Sequence, residues 1–153
     1  MRAFAIIVLS CAVAVFAGSS IAQGADSSIQ VQDAWARQAP MMPPMGHMHA
    51  AGGNGAVYMN LRNTGQETET LVGGSSDAAE SVELHETIRE GDVMRMRPVT
   101  KLEVPAGGVL EMKPGGMHIM LIDLKRDLRP GDRIHVTLNF DHAAPVSVEV
   151  PVR

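Results

Sequence analysis

The stretch RIHVTLNFDHAAPVSVEVPV, residues 133–152, alternates between apolar and polar side chains in both of its halves. Ile134, Val136, Leu138 and Phe140 occupy every second position, and four valines then do the same over residues 146–152. Because successive side chains of a strand point to opposite faces, a period of two is typical of a half-buried β-strand. The stretch therefore predicts strands that bury one face and expose the other.

Short segments with strand character fill most of the chain between residue 29 and this stretch. They are IQVQDAWAR, GAVYMNLRN, ETLVGG, SVELHETI, DVMRMRPV, KLEV, GVLEMK and HIMLIDLK, and the turn signals RNTG, REGD, PAGG, KPGG and RPGD lie among them. No segment has a sustained helical period, and DAAESVEL, residues 77–84, is predicted to form no more than one helical turn. Eight to ten short strands predict an all-β fold, an antiparallel sandwich or small barrel with Greek-key connections, in a single domain.

The first 22 residues have the features of a secretory signal peptide. Arg2 precedes an uncharged apolar stretch of about 15 residues, and the small residues before position 23 fit a cleavage site after Ala22. The apolar stretch is shorter than the roughly 20 residues that span a bilayer. We therefore expect residues 1–22 to be removed, the domain 23–153 to be exported to the periplasm, and no stable membrane insertion to remain after cleavage. A lipoprotein signal ending at Cys11 is the alternative, although its apolar core would be only about half the usual length.

The composition of the chain excludes some classes of function. Removal of residues 1–22 leaves about 131 residues, enough for one domain with its own core. It also takes away Cys11, the one cysteine, and moves the formal net charge from −4 to −5 because Arg2 is lost. The exported form cannot use disulfides, so its stability must come from packing. A mildly acidic chain with no basic stripe is not expected to bind nucleic acid.

Residues 38–54, QAPMMPPMGHMHAAGGN, interrupt the strand pattern. Pro43 and Pro44 are incompatible with a helix interior and with a central strand, so the segment predicts a loop. The loop has no periodic face on which to bury its thioethers. Its candidate metal-binding side chains are Met41, Met42, Met45, His47, Met48 and His49.

A second set of candidate ligands lies on predicted strands. In HIMLIDLK, residues 118–125, strand geometry places His118, Met120, Ile122 and Leu124 on one face. His118 and Met120 would then lie roughly 7 Å apart along the strand and point in the same direction. A metal ion above them could contact both side chains.

Two further strands present donors of the same types. In SVELHETI, His85 shares the polar face with Glu83 and Thr87, so core packing does not explain it. In DVMRMRPV, Met94 and Met96 share a face, and either could be a ligand or a packing residue.

Imidazole and thioether groups form a soft donor set that favours Cu(I). Calcium and magnesium prefer clustered carboxylates, and zinc prefers Cys, His and carboxylate ligands. Other residues of these types have simpler interpretations. Met59 and Met112 are predicted to lie in the core, Met117 to pack against it, and His135 and His142 to be solvated.

The spacing of four of these residues is specific. His85 is followed after ten residues by Met96, then after twenty-one by His118, and after one more by Met120. This resembles the H-x10-M-x21-H-x-M copper motif of the periplasmic PCuAC copper chaperones. Similar blocks are DAWAR (33–37), GAVYMNLRN (55–63), LVGGSSDAAESVELHET (71–87), MRMRPV (94–99) and PGGMHIMLIDLKRDLRPGDRIHVTLNF (114–140).

The resemblance implies a cupredoxin-like β-barrel in which His85, Met96, His118 and Met120 hold Cu(I). It also implies a carrier, not an enzyme, that delivers copper toward the CuA centre in subunit II of cytochrome c oxidase, alongside Sco-type proteins. The Met- and His-rich loop departs from the family, some members of which have such a segment at the C-terminus. We therefore predict that the loop is a secondary copper site, where His47 and His49 could also accept Cu(II).

The residues present fit other copper functions less well. A blue-copper redox site needs a Cys thiolate with two His, and the exported chain has no Cys. A catalytic copper site would use mostly His ligands, and only His135 and His142 remain to supply them. A copper storage or resistance protein stays open as an alternative. A purely structural exported domain would leave the four-residue spacing unexplained.

The loop generates the first prediction. Closing an irregular segment around an ion costs conformational entropy, on the order of 1–2 kcal/mol per fixed residue. Deletion of residues 41–49 should therefore remove a second, weaker equivalent of copper and leave the tighter one, as measured by titration beyond one equivalent. Retention of both equivalents would show that the loop is a spacer, and loss of the tight one would reverse the ranking of the two sites.

Overall fold

The computed structural model describes residues 27–39 and 53–153. The signal-peptide prediction and the six metal-binding candidates of residues 41–49 lie outside these residues. The described part contains ten β-strands: β1 (Ile29–Ala36), β2 (Gly55–Asn63), β3 (Glu69–Ser76), β4 (Ala79–Glu90), β5 (Val93–Val99), β6 (Leu102–Val104), β7 (Val109–Met112), β8 (Met117–Leu124), β9 (Arg133–Phe140) and β10 (Val146–Pro151). The all-β prediction is confirmed.

The strands form two antiparallel sheets. One has the order β1-β2-β8-β4-β5, with β7 also paired to β2, and the other has the order β10-β9-β3-β6. Neighbours such as β2 and β8, or β3 and β9, are distant in sequence, so the connections repeatedly cross between the sheets. This arrangement is a cupredoxin-like sandwich of the Greek-key type predicted from the sequence.

The alternating apolar side chains of residues 133–152 form one side of the core. β9 and β10 pair with Val136 opposite Val148, and Ile134 opposite Val150. The largest fully buried side chains come from both sheets and are Ile29, Val57, Met59, Leu61, Leu71, Val104, Ile119, Leu121, Ile134, Val136, Leu138 and Val150. Burial of apolar area at about 25 cal/mol per Å² is what holds the two sheets together.

The methionine and histidine residues with simple interpretations behave as predicted. Met59 and Met112 face each other across the β2–β7 pair and are 1% and 2% exposed. Met117 packs against the core. His135 and His142 are exposed.

Residues 77–84 stay within the predicted limit of one helical turn and in fact form none, because a two-residue turn at Asp77 and Ala78 leads directly into β4. One local prediction was wrong. Leu124 does not share the outer face of His118, because it is buried in the core together with Leu121. Strict alternation in β8 ends at Asp123, which has a left-handed φ of 56°.

The turn before β4 is fixed by Asp77. Its carboxylate accepts a hydrogen bond from the His135 backbone N–H at 2.9 Å and lies 3.4 Å from the His135 ring. Burial by itself would raise the pKa of Asp77. The hydrogen bonds from the His135 backbone and ring, with the charges of His135 and Arg126, outweigh burial and lower that pKa. Asp77 therefore links the start of β4 to β9 in the other sheet.

This lowered pKa predicts a pH-dependent contribution to stability. Because the carboxyl binds its proton more weakly in the folded chain, the stabilisation is present above the ordinary value of 3.8 and is lost as the pH falls through the lowered pKa. Asp77→Asn should therefore lower the urea unfolding midpoint at about pH 5.5, with the difference narrowing toward about pH 3. The effect should be modest, since the side chain is 47% exposed. Glu103→Gln is the matched control, since Glu103 is the exposed residue of β6. A pH-independent difference for Asp77→Asn would contradict the prediction.

Candidate metal centre

The register of β4 against β8 brings the two predicted histidine ligands together. His85 is directly opposite His118, and the ring centroids are 5.8 Å apart with an interplanar angle of 51°. The adjacent pair, Leu84 and Ile119, points the other way and is buried in the core. The two imidazoles therefore lie on the outer face of the six-stranded sheet.

His118 is buried even though it lies on the outer face, with 3% exposure. Its Nδ1 is 3.0 Å from the carbonyl oxygen of Gly116. A carbonyl can only accept, so Nδ1 carries the proton and donates it. The lone pair of the neutral ring is then on Nε2, which is the nitrogen available to a metal ion.

His85 has the opposite arrangement. Its Nε2 is 2.9 Å from Oε2 of Glu83, so this nitrogen donates to the carboxylate and the lone pair is on Nδ1. Nδ1 is buried and has no hydrogen-bond partner in the part of the chain that the structure describes. A buried nitrogen without a partner is costly, and a metal ion would satisfy it.

The two methionines of the spacing motif lie on the same face. Met120 is opposite Glu83 on β4 and Ala56 on β2. Met96, on the edge strand β5, is opposite Thr87. Since paired residues of antiparallel strands point to the same side, all four predicted ligands occupy one face of β8, β4 and β5.

A pocket of about 550 Å³ opens on this face. We call it the His–Met pocket, because Met94, Met96, His118 and Met120 line it. His85 is absent from the lining and lies beside His118, with its side chain 13% exposed. The pocket thus contains three of the four predicted ligands and also Met94, which the sequence left between a ligand and a packing role.

Aromatic contacts that the sequence analysis missed support His118. The Tyr58 ring lies 6.1 Å from the His118 ring, and the Trp35 ring lies 4.7 Å from Tyr58. The signal was present in GAVYMNLRN, where Tyr58 shares a face with Ala56, the β2 partner of Met120. The role of Glu83 was also missed, although its position two residues before His85 placed both on one face.

No group of three or more His, Cys, Asp or Glu side chains forms a metal site among residues 27–39 and 53–153. The described candidates for metal binding are therefore mixed sites, in which thioether sulfur supplements nitrogen. Such a donor set is soft and neutral and suits Cu(I).

Comparison with known proteins identifies the family. Residues 29–152 match a family model described as "Putative lipoprotein LpqE-like", which is the PCuAC family. The chain belongs to the PCuAC family. Within the described residues, this PCuAC chain has no helix with the length and apolar character needed to cross a membrane.

The similarity to relatives and to solved structures covers most of this PCuAC chain. Lxx21020 of Leifsonia xyli subsp. xyli is 35% identical, covering 94% of the chain and 80% of the relative. RP573 of Rickettsia prowazekii is 33% identical, covering 84% of the chain and 68% of the relative. The solution structure of Cu(I)-bound DR1885 from Deinococcus radiodurans matches with a TM-score of 0.57 and 30% identity, over 80% of the chain and 78% of DR1885. The copper-bound PCuAC domain from PmoF2 has a TM-score of 0.64 at 23% identity, over 86% of the chain and 97% of that domain, and it supports the fold alone.

The contact between Glu83 and His85 generates a prediction about affinity. Glu83→Ala removes the acceptor that fixes which His85 nitrogen is free, and loss of such an outer contact typically costs about 10–100-fold in metal affinity. Glu83→Gln keeps an acceptor and should lose less. The measurement is Cu(I) affinity by competition with a chromogenic chelator, beside the urea midpoint to detect unfolding. Glu80→Ala, on the same strand, is the control. An equal loss of Cu(I) affinity in Glu80→Ala would mean that the Glu83 carboxylate acts only through the overall charge of the chain.

Proposed function

We propose that this chain is a periplasmic Cu(I) carrier that transfers copper by ligand exchange. The observation that supports it best is the pairing of His85 with His118, in which the free nitrogens are Nδ1 of one ring and Nε2 of the other. Nδ1 of His85 is buried and has no hydrogen-bond partner among the described residues, and methionines lie on the same face of the sheet, so these donors suit a soft monovalent cation. The Cu(I)-bound relative DR1885 supports the same metal.

In this proposal the primary site consists of His85, Met96, His118 and Met120. The two histidines and Met120 come from the interior strands β4 and β8, where backbone pairing holds them in place. Copper at the inner end of the His–Met pocket would contact His118 and Met120 and would satisfy Nδ1 of the adjacent His85. These ligands are neutral, so they do not neutralise the single positive charge of the bound ion. A partner with anionic ligands can therefore still attract it.

Met96 is the ligand that differs from the others. It lies on an edge strand and is 62% exposed, so a partner's donor atom can approach the copper from its side. Exchange would begin when an incoming ligand takes the place of Met96, while His85 and the buried His118 still hold the ion. Met94, two residues away and 56% exposed, lines the same pocket and can replace Met96 during the exchange.

We also propose that the Met- and His-rich loop feeds this pocket. Residues 40–52 are not described, but the chain on both sides of them lines the His–Met pocket, namely Gln38, Ala39, Asn54 and Gly55. Both ends of the loop are therefore next to the His–Met pocket. Copper bound by the loop, either Cu(I) on the methionines or Cu(II) on His47 and His49, would be tethered near the pocket, and its local concentration there would rise.

Export and the acceptor are part of the same proposal. The lipoprotein description of the family supports export, by cleavage after residue 22 or by lipid attachment at Cys11. The acceptor we propose is the CuA site in subunit II of cytochrome c oxidase, with a Sco-type protein as a second partner. A carrier of this kind performs no chemistry other than ligand exchange.

Replacement of the half-buried Met120 tests the primary site. Met120→Leu keeps the volume and the apolar character, so it should cost less than about 1.5 kcal/mol in the free energy of unfolding. Cu(I) affinity should fall by more than the 10–100-fold typical of an outer contact, because a ligand is lost. Met94→Leu is the matched control and should keep one tightly bound equivalent.

Three results would contradict the proposed site or function. Parent-like Cu(I) affinity in Met120→Leu would show that Met120 is not a ligand, and loss of the tight equivalent in Met94→Leu would show that Met94 is. A strong thiolate–Cu(II) absorption near about 600 nm would indicate a blue-copper redox site. Copper stoichiometry and oxidation state measured on the exported chain provide both readings.

A further inference from the structure

A second pocket, of about 520 Å³, lies next to the His–Met pocket. We call it the arginine groove, and it is lined by Trp35, Arg37, Gln38, Pro114 and Arg153. Three of these residues, Arg37, Gln38 and Pro114, also line the His–Met pocket. The two pockets therefore share a wall, and a protein bound in one would overhang the other.

The charges of the arginine groove are unusual for this molecule. Among the described arginines, six pair with a carboxylate within 4.0 Å: Arg89, Arg95, Arg97, Arg126, Arg129 and Arg133. Arg37 and Arg153 have no carboxylate partner in the described ranges. The undescribed residues contain a single acidic side chain, Asp26, and residues 40–52 contain none. The chain as a whole has a formal net charge of −4, so this groove opposes the overall sign.

Backbone contacts hold both arginines at the groove. The Arg37 N–H donates to the Ala56 carbonyl and the Arg153 N–H donates to the Ala36 carbonyl, each at 2.9 Å. The Arg153 carbonyl accepts from Gln38 at 2.9 Å. The Arg153 guanidinium lies 5.9 Å from the centre of the Trp35 ring, within the range of a cation–π contact.

We infer that the arginine groove is the docking surface for an acidic patch on the protein that exchanges copper with this chain. Guanidinium groups bind carboxylates through paired hydrogen bonds, and an indole beside them offers contact area, which is the composition found at interface hot spots. A partner whose carboxylates contact Arg37 and Arg153 would place neighbouring groups over Met96 and Met94. The inference rests on the proposed function, because it assigns the surface that the exchange partner uses.

The position of the groove relative to the metal ligands explains why docking there would help transfer. Trp35 contacts Tyr58, and Tyr58 contacts His118, so one aromatic ring separates the groove from a buried ligand. Charge complementarity acts mainly on the rate of encounter and on orientation, and it weakens as salt is added. The arginine groove would therefore raise the rate of copper transfer. It would not change the equilibrium affinity for Cu(I), which the histidines and methionines determine.

The test uses two synthetic peptides with the same pair of cysteines as the copper-binding group. One is flanked by glutamates and the other by glutamines. At low ionic strength the glutamate peptide should remove Cu(I) from the loaded chain about tenfold faster than the glutamine peptide, and added salt should reduce the ratio. Arg153→Gln should bring the ratio close to one, while its Cu(I) affinity stays at the parent value, since Arg153 does not line the His–Met pocket.

Arg62→Gln is the matched control. Arg62 is exposed on β2, it also has no carboxylate partner among the described residues, and it lies outside both pockets. It should keep the full difference between the two peptides. Equal transfer rates for the two peptides in the parent chain would overturn the inference. So would an effect of Arg62→Gln as large as that of Arg153→Gln, because overall charge would then account for the result.

A copper-free measurement separates this inference from the proposed function. Trp35 is the single tryptophan of the chain, so its fluorescence reports on the groove. A glutamate peptide without cysteines should shift it in a saturable way that Arg153→Gln abolishes. This result is obtained even if the chain fails to bind Cu(I), in which case only the proposed function falls. An equal shift with inorganic phosphate would identify a small-anion site and overturn the assignment to a protein surface.

Discussion

The antiparallel pairing of β4 with β8 is the constraint on which the rest of the site depends. In this register His85 is opposite His118 and Met120 is opposite Glu83. A shift by one residue would exchange the outer face with the core face, so that the histidines would be buried among the leucines. The core protects the register, because Leu84 and Ile119 can only be buried when the histidines face outward. Apolar burial on one face of the sheet therefore fixes the positions of the proposed ligands on the other face.

The geometry also divides the proposed ligands by how each side chain is held. The histidines are held by hydrogen bonds to a carboxylate and a carbonyl, and each bond selects the nitrogen that remains free. Met96 has no comparable support on its exposed edge strand. A site with a rigid half and an open half suits a carrier, because the ion can be retained while one ligand is replaced.

Much of this arrangement could be predicted from the sequence, for identifiable reasons. Period-two alternation gave the strands, and the spacing of His85, Met96, His118 and Met120 placed these residues on one face once the strands paired. The error on the face of Leu124 arose where the backbone leaves ideal geometry. Asp123 adopts a left-handed conformation that ends the alternation before Leu124. The function of Glu83, and the meeting of Trp35 with Arg153, depend on contacts between side chains that no periodicity encodes.

An exposed edge strand such as β5 carries a risk of aggregation. The side chains on the face of β5 opposite the methionines reduce that risk. The unpaired backbone groups of such a strand can template pairing with another copy of the chain, which leads to aggregation. Along β5, Arg95 and Arg97 alternate with the methionines and form ion pairs with Glu90 and Glu86. Pro98 lies within the strand and has no N–H to donate, which also limits further pairing. The strand can thus keep its thioethers open to a metal partner while charge and proline discourage the chain from extending its sheet into a fibre.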